Sequence, residues 1–282
     1  MSADPRPIVE LLAASPTVLI VTHEKPDPDA VASALGLALA LESSGKDVQV
    51  ACADPVPHNL LFLPTAVRVT SHPQPASLAV IVDAADPARL GSLAPIVEKC
   101  PQVAVIDHHV APRYRPTVAL LDESAPAAAL LVLEIIRALP APLTAEIATC
   151  LYCGLAGDTG FFTYQNTDER AFRTAADLTA AGAQPYDIHR RLSAQLSLPA
   201  IRLRGRGLAA AQTSSEGRLV YSILRREDFA ATGAREEDTE GIVDLLKSVA
   251  GGEVYVLLKQ AEDEKWRVSL RSQHLDVGAI AR

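Results

Sequence analysis

The sequence predicts an α/β fold: a parallel-sheet domain followed by a second, smaller α/β domain. Three observations predict it. Short apolar runs recur and end in an acidic residue, stretches of helical composition lie between them, and the pattern changes after Gly217. The runs Leu78 to Val82 and Val103 to Ile106 are apolar throughout and end in Asp83 and Asp107. Continuous apolar strands of this kind suit a parallel sheet covered on both faces.

Taken in order, Val18 to Val21 is a β-branched strand, the loop Thr22 to Pro28 is polar, and Ala30 to Leu41 is helical in composition. Asp47 to Cys52 is a further strand, before the two apolar runs already named. Helices are expected over Ala125 to Leu139, Thr144 to Ala156 and Glu169 to Ala181, with Gly182 as a stop. From Pro185 to about Thr213 the chain reads as helical and carries Arg190, Arg191, Arg202, Arg204 and Arg206. These arginines form either a solvated helix face or a basic flank near a substrate cleft. Strands at Leu219 to Leu224, Glu253 to Leu258 and Trp266 to Leu270 then enclose an amphipathic helix over Glu236 to Val249. The expected organisation is a domain over 1–192, a helical connector over 193–216 and a smaller domain over 217–282.

Composition narrows the function. The 282 residues are 49% hydrophobic but only 4% aromatic, so the core is aliphatic. The net charge of -8 opposes a protein that grips duplex DNA by its backbone. An acidic chain still binds small phosphorylated ligands if metal ions supply the local positive charge. Cys150 and Cys153 form a CxxC without a second pair to complete a zinc site, and read as buried thiols on a helix face. No stretch reaches the roughly 20 apolar residues of a membrane span, and no signal peptide is evident, so the cytoplasm is the expected location.

Four segments carry candidate chemistry, three at strand ends, where open α/β sheets bind ligands, and one where a helix ends. His23-Glu24-Lys25-Pro26-Asp27-Pro28-Asp29 follows the first strand. In extended backbone Asp27 and Asp29 would face a common point, although Asp29 could instead cap the following helix. Asp83 ends the run Leu78 to Val82, and a carboxylate buried there needs a partner unless it is a cap or a solvated strand end. Asp107-His108-His109 places three coordinating side chains in a row, otherwise a surface turn. Gly157-Asp158-Thr159-Gly160 brackets an aspartate with glycines that permit tight turns and close backbone approach, or is an ordinary turn. Together they supply two histidines and four aspartates suited to a dinuclear site, with a third histidine beside them. Nitrogen and carboxylate ligands without thiolate suit Mn, Mg, Fe or Co rather than structural zinc. Two such metals stabilise the attacking and leaving oxygens of a phosphoryl transfer. Asp83, from a rigid strand end between the other ligands, is the best bridge.

HEKPDPDA (His23 to Ala30), VDAADPARLG (Val82 to Gly91), IDHH (Ile106 to His109) and GDTG (Gly157 to Gly160) resemble, in order and spacing, the four motifs of the DHH phosphoesterase family. The resemblance covers nearly the whole chain and is closest to the nanoRNase and pAp phosphatase branch. It implies a DHH catalytic domain, a DHH-associated substrate-binding domain and two manganese ions, with Mg or Co able to substitute. One ion would be held by His23, Asp27 and Asp83, the other by Asp29, Asp83, His108 and Asp158. Asp107 would orient the loop, and His109 would contact the scissile phosphate and help the leaving oxygen gain its proton. Val268-Ser269-Leu270-Arg271-Ser272 matches the strand that gives an arginine to the substrate phosphate, which makes Arg271 a substrate-binding residue.

The implied activity is hydrolysis of short oligoribonucleotides, linear or cyclic dinucleotides, or pAp by a metal-activated water, in a cytoplasmic homodimer with no duplex DNA or membrane partner. Family members continue into a glycine-rich GGGH loop that this sequence, ending at Arg282, does not reach. The expectation is therefore a substrate-binding domain whose C-terminal part is missing. The alternatives are a DHH-type inorganic pyrophosphatase, which shares the metal motifs, and a catalytically inactive nucleotide-sensing protein.

Overall fold

The computed structural model describes residues 4–84, 86–109, 116–193, 196–260, 265–272, 274–275 and 277. Contacts divide the chain into two units, Met1–Ala194 and Gln195–Arg282.

In the first unit, β1 (Thr17–Val21), β2 (Asp47–Ala51), β3 (Leu78–Val82), β4 (Gln102–Asp107) and β5 (Val118–Leu121) form a sheet of order β2-β1-β3-β4-β5. Every neighbouring pair is parallel. The central β3 is buried at all five positions. Leu78, Val80 and Val82 enter one apolar layer, and Ala79 and Ile81 the other. The first layer is closed by α1 (Arg6–Ala14), α2 (Pro28–Ser43), α4 (Ala128–Ala138) and α5 (Ala145–Asp158). The second is closed by Leu90, Leu93 and Val97, from the 3₁₀ segment Pro87–Leu93 and α3 (Ala94–Val97). Helices α6 (Glu169–Ala180) and α7 (Pro185–Leu192) complete the unit.

The strand order reverses between β1 and β3. The chain leaves β1 toward β2, then crosses back to lay β3 on the other side of β1. Loops diverge at such a point and open a crevice beyond the carboxyl ends of the strands. His23 lies just after β1, Asp83 just after β3 and Asp107 at the end of β4.

A second device brings α5 to the same place. It packs on α2 across positions where a Cβ would not fit. A Cβ on Gly36 would lie 2.8 Å from Leu151 Cδ2, one on Gly154 2.7 Å from Asp29 Oδ1, and one on Gly157 2.7 Å from Pro28 Cβ. Overlaps of this size are far inside van der Waals contact, so the approach depends on glycine. Asp158, the last residue of α5, is thereby carried to the start of α2.

The second unit contains α8 (Leu198–Ala209), β6 (Gln212–Ser214), β7 (Leu219–Leu224), α9 (Arg226–Thr232), α10 (Ile242–Leu246), β8 (Val254–Gln260) and β9 (Trp266–Ser272). Its sheet has the order β6-β7-β8-β9, with β7 and β8 parallel and the outer pairs antiparallel. Leu203, Val220, Leu224, Ile242, Leu246, Tyr255 and Leu257 form its core.

Two expectations are corrected here. The segment 193–216 is not simply a helical connector, because Leu203 packs α8 into this core and Gln212–Ser214 pairs as a strand. The helix expected over Glu236 to Val249 is broken into a 3₁₀ turn, Glu236–Thr239, and α10, because Gly241 between them takes φ 79°. The C-terminal end of the smaller domain, 278–282, lies outside the described residues. Among the described residues no helix is long and apolar enough to cross a membrane.

Candidate metal centre

Pro28 starts α2, and this decides where its two neighbouring aspartates go. Asp27 becomes the N-cap, its Oδ1 accepting from the Ala30 N–H at 3.0 Å. Asp29 lies inside the first turn and does not cap its own helix. Its Oδ2 accepts from the Ala128 N–H at 2.6 Å and its Oδ1 from Ala129 N–H and Ser33 Oγ at 3.0 and 2.9 Å, so it caps α4. The two carboxylates therefore do not face a common point, as an extended Asp-x-Asp would. Asp27 joins His23 and Asp83, and Asp29 joins His108 and Asp158.

Among the described residues, those are two of three groups whose potential ligand atoms lie within 4.8 Å of one another; the third is Asp83, Asp107, His108 and His109. Asp83 stands between the two imidazoles. Its Oδ2 is 3.6 Å from His23 Nε2, and its Oδ1 is 3.4 Å from His108 Nε2. His23 Nε2 is also 3.5 Å from Asp27 Oδ2, and His108 Nε2 is 3.1 Å from Asp158 Oδ2 and 3.9 Å from Asp29 Oδ2. Asp83 holds φ 58°, a region that aspartate tolerates better than most side chains, with its N–H donating to Ile106 O at 2.9 Å. Backbone held in such a region at a strand end is characteristic of functional sites.

The imidazoles are oriented from behind. His23 Nδ1 lies 2.7 Å from Glu24 O, and His108 Nδ1 lies 3.1 Å from Ala125 O. A carbonyl only accepts, so each Nδ1 is the donor and a neutral ring presents its Nε2 lone pair to the carboxylates. Among the described residues, His23 Nε2, His108 Nε2 and both oxygens of Asp83 are buried without a hydrogen-bond partner. Neutral rings would set their lone pairs against the carboxylate oxygens, so in the metal-free site Nε2 takes up a proton, and four buried ligand atoms without a well-formed hydrogen bond are costly. A cation among them removes both problems, so the donor set fits divalent metal with nitrogen and oxygen ligands.

The electrostatics agree. Burial disfavours both imidazolium forms, yet Asp27 and Asp83 push the His23 pKa up to about 10, and Asp158 and Asp83 push that of His108 up to about 11. Burial, followed by the charges of Asp83 and Asp158, raises Asp29 well above the usual carboxylate range. Burial also raises Asp158, against the opposing effect of His108. Asp83 is lowered despite its burial, because three imidazoles, those of His108, His109 and His23, surround it. The cluster holds more negative charge than its own side chains balance, which is a demand for positive charge.

His109 differs from the other two. Its Nδ1 is 2.8 Å from Asp107 Oδ1, whose same oxygen accepts the His109 N–H at 2.9 Å, and the ring is half-exposed. The Asp107 hydrogen bond, helped by Asp83 at 3.3 Å, raises the His109 pKa to about 9. Asp107 is fully buried, and although burial opposes it, His109 keeps its pKa low. The imidazole that Asp107 fixes is thus His109, while His108 is fixed by the Ala125 carbonyl. Arg271 lies in the second unit on β9, half-exposed, with Nε 3.3 Å from Asp244 Oδ1. Cys150 and Cys153 are buried on α5, and burial raises both thiols.

The supports of the site escaped the sequence reading. Ala125 O, Ala128 N–H and Ala129 N–H are backbone groups of alanines, brought to the ligands from 17, 99 and 100 residues away. Only the Ala-rich start of a helix after β5 signals them.

Fold and site together define a metal-dependent phosphoesterase of the DHH type. The pattern of the DHH family, N-terminal domain, matches residues 17–155. The chain is 36% identical to the bifunctional oligoribonuclease and PAP phosphatase NrnA of Thermus thermophilus, over 95% of this chain and 80% of that protein. It is 24% identical to the protein of the same description in Bacillus subtilis, over 98% of this chain and 87% of that one. The chain therefore belongs to the DHH family. Its fold is similar to that of an exopolyphosphatase-related protein from Bacteroides fragilis, with TM-score 0.86, 24% identity, and coverage of 95% of this chain and 82% of that one. It is more distantly similar to a putative family II inorganic pyrophosphatase from Methanococcus jannaschii, with TM-score 0.53, 17% identity, and coverage of 91% and 88%.

Proposed function

We propose that the chain hydrolyses short oligoribonucleotides and removes phosphate from 3′-phosphoadenosine 5′-phosphate, with linear or cyclic dinucleotides as further substrates and two manganese ions as its metals. Asp83 carries this reading: one buried carboxylate, both oxygens without a hydrogen-bond partner among the described residues, each near the Nε2 of a different imidazole. His23, Asp27 and Asp83 would hold one ion, and Asp29, Asp83, His108 and Asp158 the other. When bound, two such ions lower the pKa of a water and stabilise the attacking and leaving oxygens of a phosphoryl transfer.

The chain's own residues do the rest. The hydrogen bond that His109 Nδ1 donates to Asp107 holds the ring and favours its protonated form. His109 gives a phosphate oxygen a charge-assisted hydrogen bond and the leaving oxygen a proton, while Asp107 fixes its ring. Arg271 adds a planar guanidinium for a second phosphate contact. The names of the two curated relatives support the substrate class. The net charge of -8 supports small substrates over duplex DNA. Catalysis would belong to the first unit and substrate binding to the second, in a cytoplasmic homodimer. Magnesium or cobalt would substitute for manganese.

The test is release of mononucleotide or phosphate from an RNA trinucleotide, a linear dinucleotide, a cyclic dinucleotide, pAp and pyrophosphate in parallel, with manganese and with chelator. Chelator-sensitive cleavage of the trinucleotide and of pAp supports the reading. Cleavage of pyrophosphate alone would replace it with a pyrophosphatase, and no cleavage of any of them would contradict it.

A further inference from the structure

The segment 122–129 joins β5 to α4 and presents three backbone atoms to the candidate ligands. Ala125 O accepts from His108 Nδ1 at 3.1 Å, and the N–H groups of Ala128 and Ala129 donate to Asp29 at 2.6 and 3.0 Å. None of these alanines carries chemistry, so the placement of His108 and Asp29 depends on whatever holds the segment.

Two side chains hold it. Arg170, in the first turn of α6, donates through Nη1 to Asp122 Oδ2 at 2.9 Å, through Nη2 to the Ser124 carbonyl, and through Nε to Asp168 Oδ2 at 2.9 Å. Asp122, 8% exposed, passes the restraint on: its Oδ1 accepts from Ser124 N–H at 2.9 Å, and its carbonyl accepts from Ala125 N–H at 2.9 Å. Asn166 Nδ2 donates to Pro126 O at 2.9 Å and to Asp158 O at 3.0 Å. Both acceptors are carbonyls, so the amide nitrogen, not its oxygen, must face them. One amide thus ties the segment beneath His108 and Asp29 to the backbone of Asp158. Among the described residues, neither Asn166 nor Arg170 hydrogen-bonds or ion-pairs with His23, Asp27 or Asp83. His23 rests on Glu24 O, and Glu24 N–H donates to Arg89 O at 2.7 Å.

We propose that Asn166 and Arg170 are positioning residues for one of the two ion positions, the one lined by Asp29, His108 and Asp158, and that they leave the position lined by His23 and Asp27 alone. The proposal rests on the two-ion reading above. Asn166→Asp keeps the size of the side chain but sets carboxylate oxygen against two carbonyls. Arg170→Ala releases Asp122 and Ser124, and Arg170→Lys keeps the charge but loses the planar fork.

The experiment is titration of the full chain with manganese, following the free ion by its electron paramagnetic resonance signal, with Asp158→Ala and Asp27→Ala marking which ion is which. Asn166→Asp and Arg170→Ala are expected to weaken the ion most affected by Asp158→Ala by roughly 10- to 100-fold, the usual cost of losing an outer partner. The other ion keeps its affinity, and Arg170→Lys recovers part of the loss. Equal weakening of both ions, as from a general loss of folding, would overturn the proposal, and so would no change in either. Failure of the unaltered chain to bind two ions would instead contradict the two-ion reading beneath it.

Discussion

The candidate metal centre of the first unit and the arginines of the second treat charge in opposite ways. In the first, Asp83 is 1% exposed at a strand end with positive φ, and neither carboxylate oxygen has a hydrogen-bond partner among the described residues. In the second, Arg271 is half-exposed and paired with Asp244, and other arginines of the unit pair similarly, Arg206 with Asp228 and Arg267 with Glu236. Exposed ion pairs contribute little to stability and exchange readily for another anion. Buried, unpartnered ligand atoms are costly to hold and persist because the surrounding packing fixes them. The first pattern suits a permanent cation; the second suits a ligand that comes and goes.

Substitutions can break or sharpen this contrast. The largest effect is expected at Asp83. Asp83→Ala should remove metal-dependent turnover, a loss beyond the roughly 100-fold typical of losing an outer partner; retained activity would sink the dinuclear assignment. His109→Ala comes next, with kcat falling by about 100- to 10,000-fold, the range of a lost general acid. Manganese affinity should hold, so a parallel drop in metal binding would make His109 a ligand instead. Gly154→Ala tests the packing: its Cβ would lie 2.7 Å from Asp29 Oδ1 and 3.1 Å from Ala129 Cβ. Overpacking of this kind costs about 1–3 kcal/mol, read as a lowered Tm of the metal-free protein together with weaker metal binding.

The pH dependence follows from the same cluster. His23 and His108, with pKa values pushed up to about 10 and 11, bind protons in the metal-free fold through neutral pH. A metal ion must displace them, so its affinity should rise with pH by about tenfold per unit for each proton released. For the metal-free fold the sign is reversed. The raised imidazole pKa values contribute stability that is complete below 6.5 and is lost as pH rises through about 10 to 11. A metal affinity flat between pH 6 and 9 in calorimetric titration would contradict this charge distribution. The smallest effect is expected in the second unit. Arg271→Ala should raise KM by about tenfold, the worth of one charge-assisted hydrogen bond, with kcat nearly unchanged. An unaltered KM would remove Arg271 from substrate binding.

How much of this was legible in the sequence depended on where the information lay. Strands β3 and β4 could be read because burial on both faces leaves an uninterrupted apolar run with a charged residue at its end. Strand β5 was missed although its run Val118 to Leu121 is apolar and ends in Asp122; it is the last strand of the sheet and only Leu120 in it is buried. The break at Gly241 was missed because amphipathic spacing continues across it, while the backbone conformation does not. The candidate ligands sit in short motifs and so could be named. What holds them could not, because the Ala125 carbonyl and the N–H groups of Ala128 and Ala129 are featureless in sequence and reach the site only through the fold. The role of Asp29 turned on one residue: Pro28 moved the helix start and sent the carboxylate to α4.

The most direct test of the central claim is the electron paramagnetic resonance spectrum of the protein loaded with two equivalents of manganese. Two ions bridged by the Asp83 carboxylate should give an exchange-coupled spectrum that is lost in Asp83→Ala. Two isolated manganese signals, or a single bound ion, would contradict the bridged pair on which this account stands.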